Sequence, residues 1–220
     1  IHLNGINNMS IRLKGVKQKL LSYPNSKDEL TTIIEDRIKQ EGPKCDLNDI
    51  DTSNITDMSY LFYHSQFNGD ISKWDVSNIE DMNCMFEYSI FNGDISNWDV
   101  SNVTDMACMF YSSNFNGDIS NWDVSNVEDM GYLFSRSDFN GDISKWDVGN
   151  VKNMNAIFSG SKFNKDISKW DVGSVQYMNF MFKDSKFNGD ISNWDVGKLK
   201  YNYHIFKNCP LESNPPKWYI

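Results

Sequence analysis

Residues 67–90 read FNGDISKWDVSNIEDMNCMFEYSI, and the same 24-residue sentence returns down the chain with few changes. Its opening phrase, Phe-Asn-Gly-Asp-Ile-Ser-x-Trp-Asp-Val, starts at Phe67, Phe91, Phe115, Phe139, Phe163 and Phe187, and only Lys165 breaks it, in place of the glycine. Trp74, Trp98, Trp122, Trp146, Trp170 and Trp194 therefore form one column. The next Phe and Trp slots fall on Leu211 and Trp218, so a last, degenerate turn is expected from about residue 207. Upstream, residues 50–55 fill the Trp-Asp-Val-Ser-Asn-Ile slot, which opens the array near residue 47. Self-similarity at a fixed period of this length signals a repeat architecture, in which each unit buries its apolar face against its neighbours.

Within a unit the apolar positions are Ile71, Trp74, Val76, Ile79, Met82, Met85, Phe86 and Phe91. That spacing is neither a sustained helical period nor a plain strand alternation. It predicts a strand-dominated repeat solenoid of the α/β type, with seven 24-residue turns, each carrying one short parallel strand. The strand is placed at residues 73–76, with Trp74 and Val76 pointing inward. The Trp and Met columns read as core. Asn68 and its equivalents are expected to form a ladder that satisfies backbone groups, and Gly69 to supply a turn of positive φ.

Residues 26–46 read as a helical cap: Ser26 and Glu29 form a capping box, Leu30, Ile33, Ile34 and Ile38 share one face, and Gly42-Pro43 ends the helix. Residues 1–25 have no clear reading, and Ile11, Leu13 and Val16 fit a strand or a poor helix. Residues 47–220 form the repeat array. Pro215-Pro216 in the final turn removes ladder donors and blunts the last edge, so a monomer with both ends capped is expected.

The spacing from Ile71 to Ser89 resembles the leucine-rich repeat of BspA-like bacterial surface proteins, and the wording FNGDISKWDVSN…DM…MF is closer still to a repeat of mycoplasma-type surface lipoproteins, a domain of unknown function. The resemblance covers residues 47–220. It implies a leucine-rich-repeat-like, right-handed coil, presentation on a bacterial surface or secretion, and no catalytic residue. In the wider group a Cys often stands where this chain has Ser89, Ser113, Ser137, Ser161 and Ser185; Cys209 keeps it here.

Charge narrows the partners. The net charge is −9, and it is unevenly divided: residues 1–44 hold 8 basic and 5 acidic residues, residues 45–220 hold 13 basic and 25 acidic ones. An array carrying −12 is a poor match for nucleic acid, whose binding depends on Lys and Arg contacts to phosphate. No apolar stretch reaches the roughly 20 residues needed to span a bilayer.

The sharpest candidate site is the column Asp75, Asp99, Asp123, Asp147, Asp171 and Asp195. Each lies between two inward residues and is expected to face outward. Stacked like charges repel, and three arrangements can offset that: local hydrogen bonds from Ser or backbone N–H groups, a basic ligand along the face, or calcium. Lys73, Lys145 and Lys169 on the same face would partly neutralise the row. A second column, Asp70, Asp94, Asp118, Asp142, Asp166 and Asp190, reads as turn-capping. The slots that vary between repeats collect Tyr60, Tyr63, Tyr88, Tyr111, Tyr132 and Phe180, which suit either a binding surface or ordinary variation.

Cys84 and Cys108 occupy equivalent places in adjacent turns, and free thiols are favoured over a disulfide. His2, His64 and His204 are scattered, with no partners for a triad or a zinc site. No cofactor and no metal are therefore expected. The sequence reads as a non-enzymatic recognition or adhesion module for a protein or glycan partner, with a structural spacer or assembly component as the alternative.

Overall fold

The computed structural model describes residues 21–219. Ile11, Leu13, Val16 and His2 lie outside the described residues. One α-helix, α1 (Lys27–Glu41), precedes a stack of 24-residue turns, and a three-residue 3₁₀ helix (Pro210–Glu212) lies near the end.

Helix α1 begins and stops where its chemistry dictates. Ser26 is extended and its hydroxyl accepts the N–H of Glu29 at 3.3 Å, while the Glu29 carboxylate accepts the N–H of Asn25 at 2.8 Å. Gly42, at φ 88°, ends the helix and returns its N–H to the carbonyl of Ile38. Leu30 and Ile34 are buried against the first turn, with Ile33 and Ile38 packed beside them. Arg37 anchors the helix, pairing with buried Asp49 at 2.9 Å and donating to the carbonyl of Asp46 at 3.0 Å.

The expected strand-dominated, leucine-rich-repeat-like coil is not what the chain forms. Among the described residues there is no strand, only single-residue parallel bridges such as Asp57 to Asp81 and Asp81 to Asp105. Residues 73–76 are turn and irregular backbone. The x-apolar-x-apolar pattern there has another cause. Two tight turns flank it, closed by Trp74 N–H to Ile71 carbonyl and by Ile79 N–H to Val76 carbonyl. Apolar residues three apart are the corners of these turns and all four point inward, with Ser72-Lys73 and Ser77-Asn78 at the exposed tips.

Stacking is carried by a different stretch. Along residues 82–89 alternate N–H groups point to different turns. Met82, Cys84, Phe86 and Tyr88 each donate at 2.9 Å to a carbonyl of the next turn, whereas Met85, Glu87 and Ser89 donate three residues back within their own turn. A run of extended residues cannot do this; two left-handed residues per turn, Cys84 (φ 54°) and Tyr88 (φ 54°), make it possible.

The core is a bundle of aromatic columns. Phe62, Phe86, Phe110 and their successors stack ring on ring at 5.4–6.0 Å, and the Phe67 column does so at 6.0–6.4 Å. Each Trp indole donates to the carbonyl of the residue 27 before it, Trp74 to Leu47 at 3.0 Å and the others to an Ile, as Trp98 does to Ile71 at 3.2 Å. Trp218 continues this column, stacked on Trp194 and bonded to Ile191 at 2.8 Å. The Asn ladder is also present: the Asn68 side-chain oxygen accepts the N–H of Asn92, and so on to Asn188.

Gly69 has no positive φ. A Cβ there would lie 2.0 Å from the Cys45 carbonyl and 2.7 Å from the Phe67 ring, so in this slot glycine answers a close approach rather than a left-handed turn.

Candidate functional site

The Asp75 column faces outward on exposed backbone, as its position between Trp74 and Val76 implies. Every member accepts the N–H two residues on: Ser77 to Asp75 at 3.1 Å, Gly149 to Asp147 at 3.0 Å, Gly197 to Asp195 at 3.0 Å, with Asp99, Asp123 and Asp171 alike. Ser77 and Ser101 add hydroxyl bonds at 2.7 and 2.6 Å. Hydrogen bonds from Ser125 hold Asp123 below the usual carboxylate range. Of the three arrangements open to this column, local hydrogen bonding is the one the side chains adopt. Lys73, Lys145 and Lys169 are exposed, and among the described residues no ion pair joins them to these carboxylates. No group of three or more His, Cys, Asp or Glu residues among the described residues is placed to hold a metal ion.

The Asp70 column caps turns in the same way, from Ser72 to Asp70 at 2.9 Å down to Ser192 to Asp190 at 3.0 Å. Hydrogen bonds from the following serine keep Asp94, Asp118, Asp142, Asp166 and Asp190 below the ordinary carboxylate range; for Asp70 the largest cause is a bond with Asn48.

A third acidic column, which the sequence reading passed over, is different. Asp57, Asp81, Asp105 and Asp129 sit on the bridge residues themselves and are half-buried. Below them the same slot holds Asn153, Tyr177 and Tyr201. Each carboxylate accepts an N–H two residues on, at 2.7–2.8 Å.

The two ends of the column find partners within the chain, a cation at one and an amide at the other. Lys27 of α1 places its Nζ at 3.1 and 3.2 Å from the Asp57 oxygens, bonds Ser59, and lies 6.0 Å from the centre of the Tyr60 ring. Burial pushes Asp57 up, but the bonds from Ser59 and Lys27 outweigh it and leave the pKa lowered. At the other end the Asn153 amide donates to both Asp129 oxygens at 3.0 Å. Asp105, in the middle, is raised, first by burial and then by the charges of Asp129 and Asp81. The signal in the sequence was the Asp-Met pair at residues 57–58, 81–82, 105–106 and 129–130, which gives way to Asn-Met and Tyr-Met.

Beside this column run the left-handed positions. Two occur in each turn, and thirteen of these fourteen residues are not glycine: Tyr60 and His64, Cys84 and Tyr88, Cys108 and Ser112, Tyr132 and Arg136, and so on to His204 and Asn208. A bulky residue in this conformation costs roughly 1–2 kcal/mol, and such outliers gather at working surfaces. Here the strain displays rings. Tyr60, Tyr63, Tyr88 and Tyr132 are 38–54% exposed. With His64 and Tyr111 they form one ridge over four turns: His64 stacks on Tyr88 at 4.4 Å, Tyr88 meets Tyr111 edge-on at 5.2 Å, and Tyr111 meets Tyr132 at 6.4 Å. Phe180, Tyr203 and His204 make a smaller cluster near the far end, where Tyr177 stacks on Tyr201. Tyr60, Tyr63, Tyr88, Tyr111 and Tyr132 are thus brought together; Phe180 stands apart, and His64, read as scattered, belongs to the ridge.

No disulfide joins any of the four cysteines. Burial raises the Cys84 thiol far above its ordinary value and the Cys108 thiol to about 11, so neither is an ionised nucleophile near neutral pH.

No helix among the described residues is long and apolar enough to cross a membrane. No curated protein and no solved structure matches the chain. The family described as "Mycoplasma protein of unknown function, DUF285" matches twice, over residues 35–138 and 112–218, and the two matches together run through the array from helix α1 to the final turn. The chain belongs to that family.

Proposed function

We propose that this protein is a non-enzymatic recognition module whose binding face is the ridge of tyrosines on and next to the left-handed positions, beside the half-buried carboxylate column. The partner is a protein or glycan laid across several turns, with avidity from many weak contacts. The observation that carries this reading is the exposure of Tyr60, Tyr88 and Tyr132 at left-handed positions, where a bulky residue is strained; in the slot of Tyr88 another turn of the same array uses Gly160. Aromatic side chains dominate the energetics of protein recognition surfaces.

Presentation on a bacterial surface or secretion fits the family and the likeness to surface lipoprotein and BspA-like repeats. The absence of catalysis is supported by the construction of the site from equivalent positions, with raised thiols, rather than from unlike groups converging once.

Screening the purified chain against extracellular-matrix proteins and a glycan array tests the proposal. Saturable capture that weakens when Tyr88 and Tyr111 become serine, the residue found at both equivalent positions one turn later (Ser112 and Ser135), supports it. A second reading, a spacer or assembly component, draws on the Asp75 and Asp70 columns, whose carboxylates are satisfied by their own turns. No capture by the wild-type chain, together with self-association in solution, would move the assignment there.

A further inference from the structure

We propose that the face shared by the tyrosine ridge and the Asp57–Asp129 column takes a cationic, extended polypeptide, and that Lys27 shows how each of its basic side chains docks. The inference rests on the recognition reading and narrows its partner to one chemistry.

Lys27 belongs to helix α1, not to the repeat, yet it reaches the face from outside and satisfies three groups at once. Its ammonium lies against the Asp57 carboxylate, the Ser59 hydroxyl and the ring of Tyr60. The carboxylate recurs in the next three turns. One turn down the three positions are Asp81, Asn83 and Cys84, two turns down Asp105, Ala107 and Cys108, and the rings of Tyr88 and Tyr111 in these same two turns meet edge-on at 5.2 Å. Asp57 has its lysine, Asp129 the amide of Asn153 and Asp105 a side-chain hydrogen bond with Asn83. Among the described residues neither Asp81 nor Asp105 has a cationic partner.

Charge complementarity selects the occupant. Half-buried carboxylates one turn apart repel one another, and a cation laid between them removes that repulsion, whereas a sugar hydroxyl leaves it in place. A ring beside the site favours a cation again, through attraction to its face, as Tyr60 does for Lys27 at 6.0 Å. The geometry suits an extended chain: the Asp81 and Asp105 backbones are bridged in parallel, which sets them about 4.7–4.9 Å apart, and alternate residues of an extended chain lie about 6.6–6.8 Å apart. A flexible lysine stem absorbs the difference. A partner rich in Lys or Arg at alternate positions thus places one basic group on Asp81 and the next on Asp105.

The test uses the whole chain and a capped octapeptide alternating lysine with serine, with its glutamate counterpart as control, measured by calorimetry at low and physiological salt. Three double variants are compared. Asp81→Asn with Asp105→Asn copies the native Asn153 of the same column; Tyr88→Ser with Tyr111→Ser copies Ser112 and Ser135; Asp123→Asn with Asp147→Asn changes net charge equally on the other acidic column. The expected result is saturable binding of the lysine peptide only, weakened at least fivefold by the first pair and by the second, and less than twofold by the third. Equal weakening by the first and third pairs would reduce the effect to net charge and overturn the proposal. No peptide binding, with a glycan or matrix protein still captured through Tyr88 and Tyr111, would overturn the cationic partner and leave the recognition reading standing. No binding of any kind would remove both.

Discussion

The indole N–H of Trp98 donates to the carbonyl of Ile71 in the preceding turn at 3.2 Å, and that same carbonyl accepts the main-chain N–H of Trp74 at 3.2 Å. One oxygen therefore closes a tight turn and pins the next turn to it. The arrangement recurs at Trp122 on Ile95 and at Trp146 on Ile119. It separates two contributions of the tryptophan. Trp122→Phe keeps most of the buried area and leaves the Ile95 carbonyl still bonded by Trp98 N–H, so we predict a loss of about 1 kcal/mol. Trp122→Ala opens a cavity as well and is predicted to cost about 3–5 kcal/mol. Urea unfolding of the two variants reads the difference.

Arg37 is the tie between helix α1 and the array. Arg37→Ala removes the guanidinium that pairs with the Asp49 carboxylate, which is only 8% exposed, and the bond to the Asp46 carbonyl. A loss of about 3 kcal/mol is predicted, because a buried charge loses its guanidinium partner. Arg37→Lys is expected to recover less than half, since one ammonium cannot reproduce the guanidinium fork. Thermal unfolding followed by circular dichroism is the check.

The carboxylates divide by the sign of their pH dependence. Asp105 has a raised folded-state pKa, so the folded chain holds its proton more tightly than the unfolded chain, and its contribution falls as pH rises through that pKa. Asp105→Asn is therefore predicted to raise the melting temperature at pH 7, with the gain fading below about pH 4, the ordinary Asp value. The Asp70 column has lowered pKa values and acts in the opposite sense. Its stabilisation is complete above the ordinary Asp value and is lost as pH falls through the depressed one. Melting curves of wild type and variant between pH 3 and 8, chosen to bracket about pH 4, separate the two.

Tyr88 sets strain against display. In Tyr88→Gly the left-handed backbone becomes unstrained, a gain of roughly 1–2 kcal/mol, while glycine's greater freedom in the unfolded chain and the lost ring contacts with His64 and Tyr111 offset it. Stability is predicted to stay within about 1 kcal/mol of wild type, given those opposing terms. Partner binding is predicted to fall at least tenfold. Urea unfolding beside a binding titration would expose a ring that is merely structural, because the two readouts would then fall together.

Much of this was legible in the sequence because the repeat is so regular. The period, the Phe, Trp and Met columns, the Asn ladder, the ends of α1 and the place of Trp218 all follow from residue type at fixed spacing. The expected strand does not form, because the apolar spacing suits the corners of turns as well as an inward-facing strand, and only the bonds from Trp74 to Ile71 and from Ile79 to Val76 decide between them. The left-handed positions were hidden by their occupants. Tyr88, Cys84 and Arg136 give no glycine or asparagine signal, and Gly69, which does, is needed for clearance over Phe67. The Asp75 column drew attention because it is exposed and unbroken; the column with unneutralised members is the shorter one that ends at Asn153.

The most direct measurement compares two faces of one molecule. For whichever glycan or matrix protein the array captures, the affinity of the Tyr88→Ser, Tyr111→Ser chain is set beside that of the Asp123→Asn, Asp147→Asn chain. The account predicts at least a tenfold loss for the first and less than a twofold change for the second. The reverse pattern would place recognition on the outward acidic column and contradict the assignment of the tyrosine ridge as the binding face.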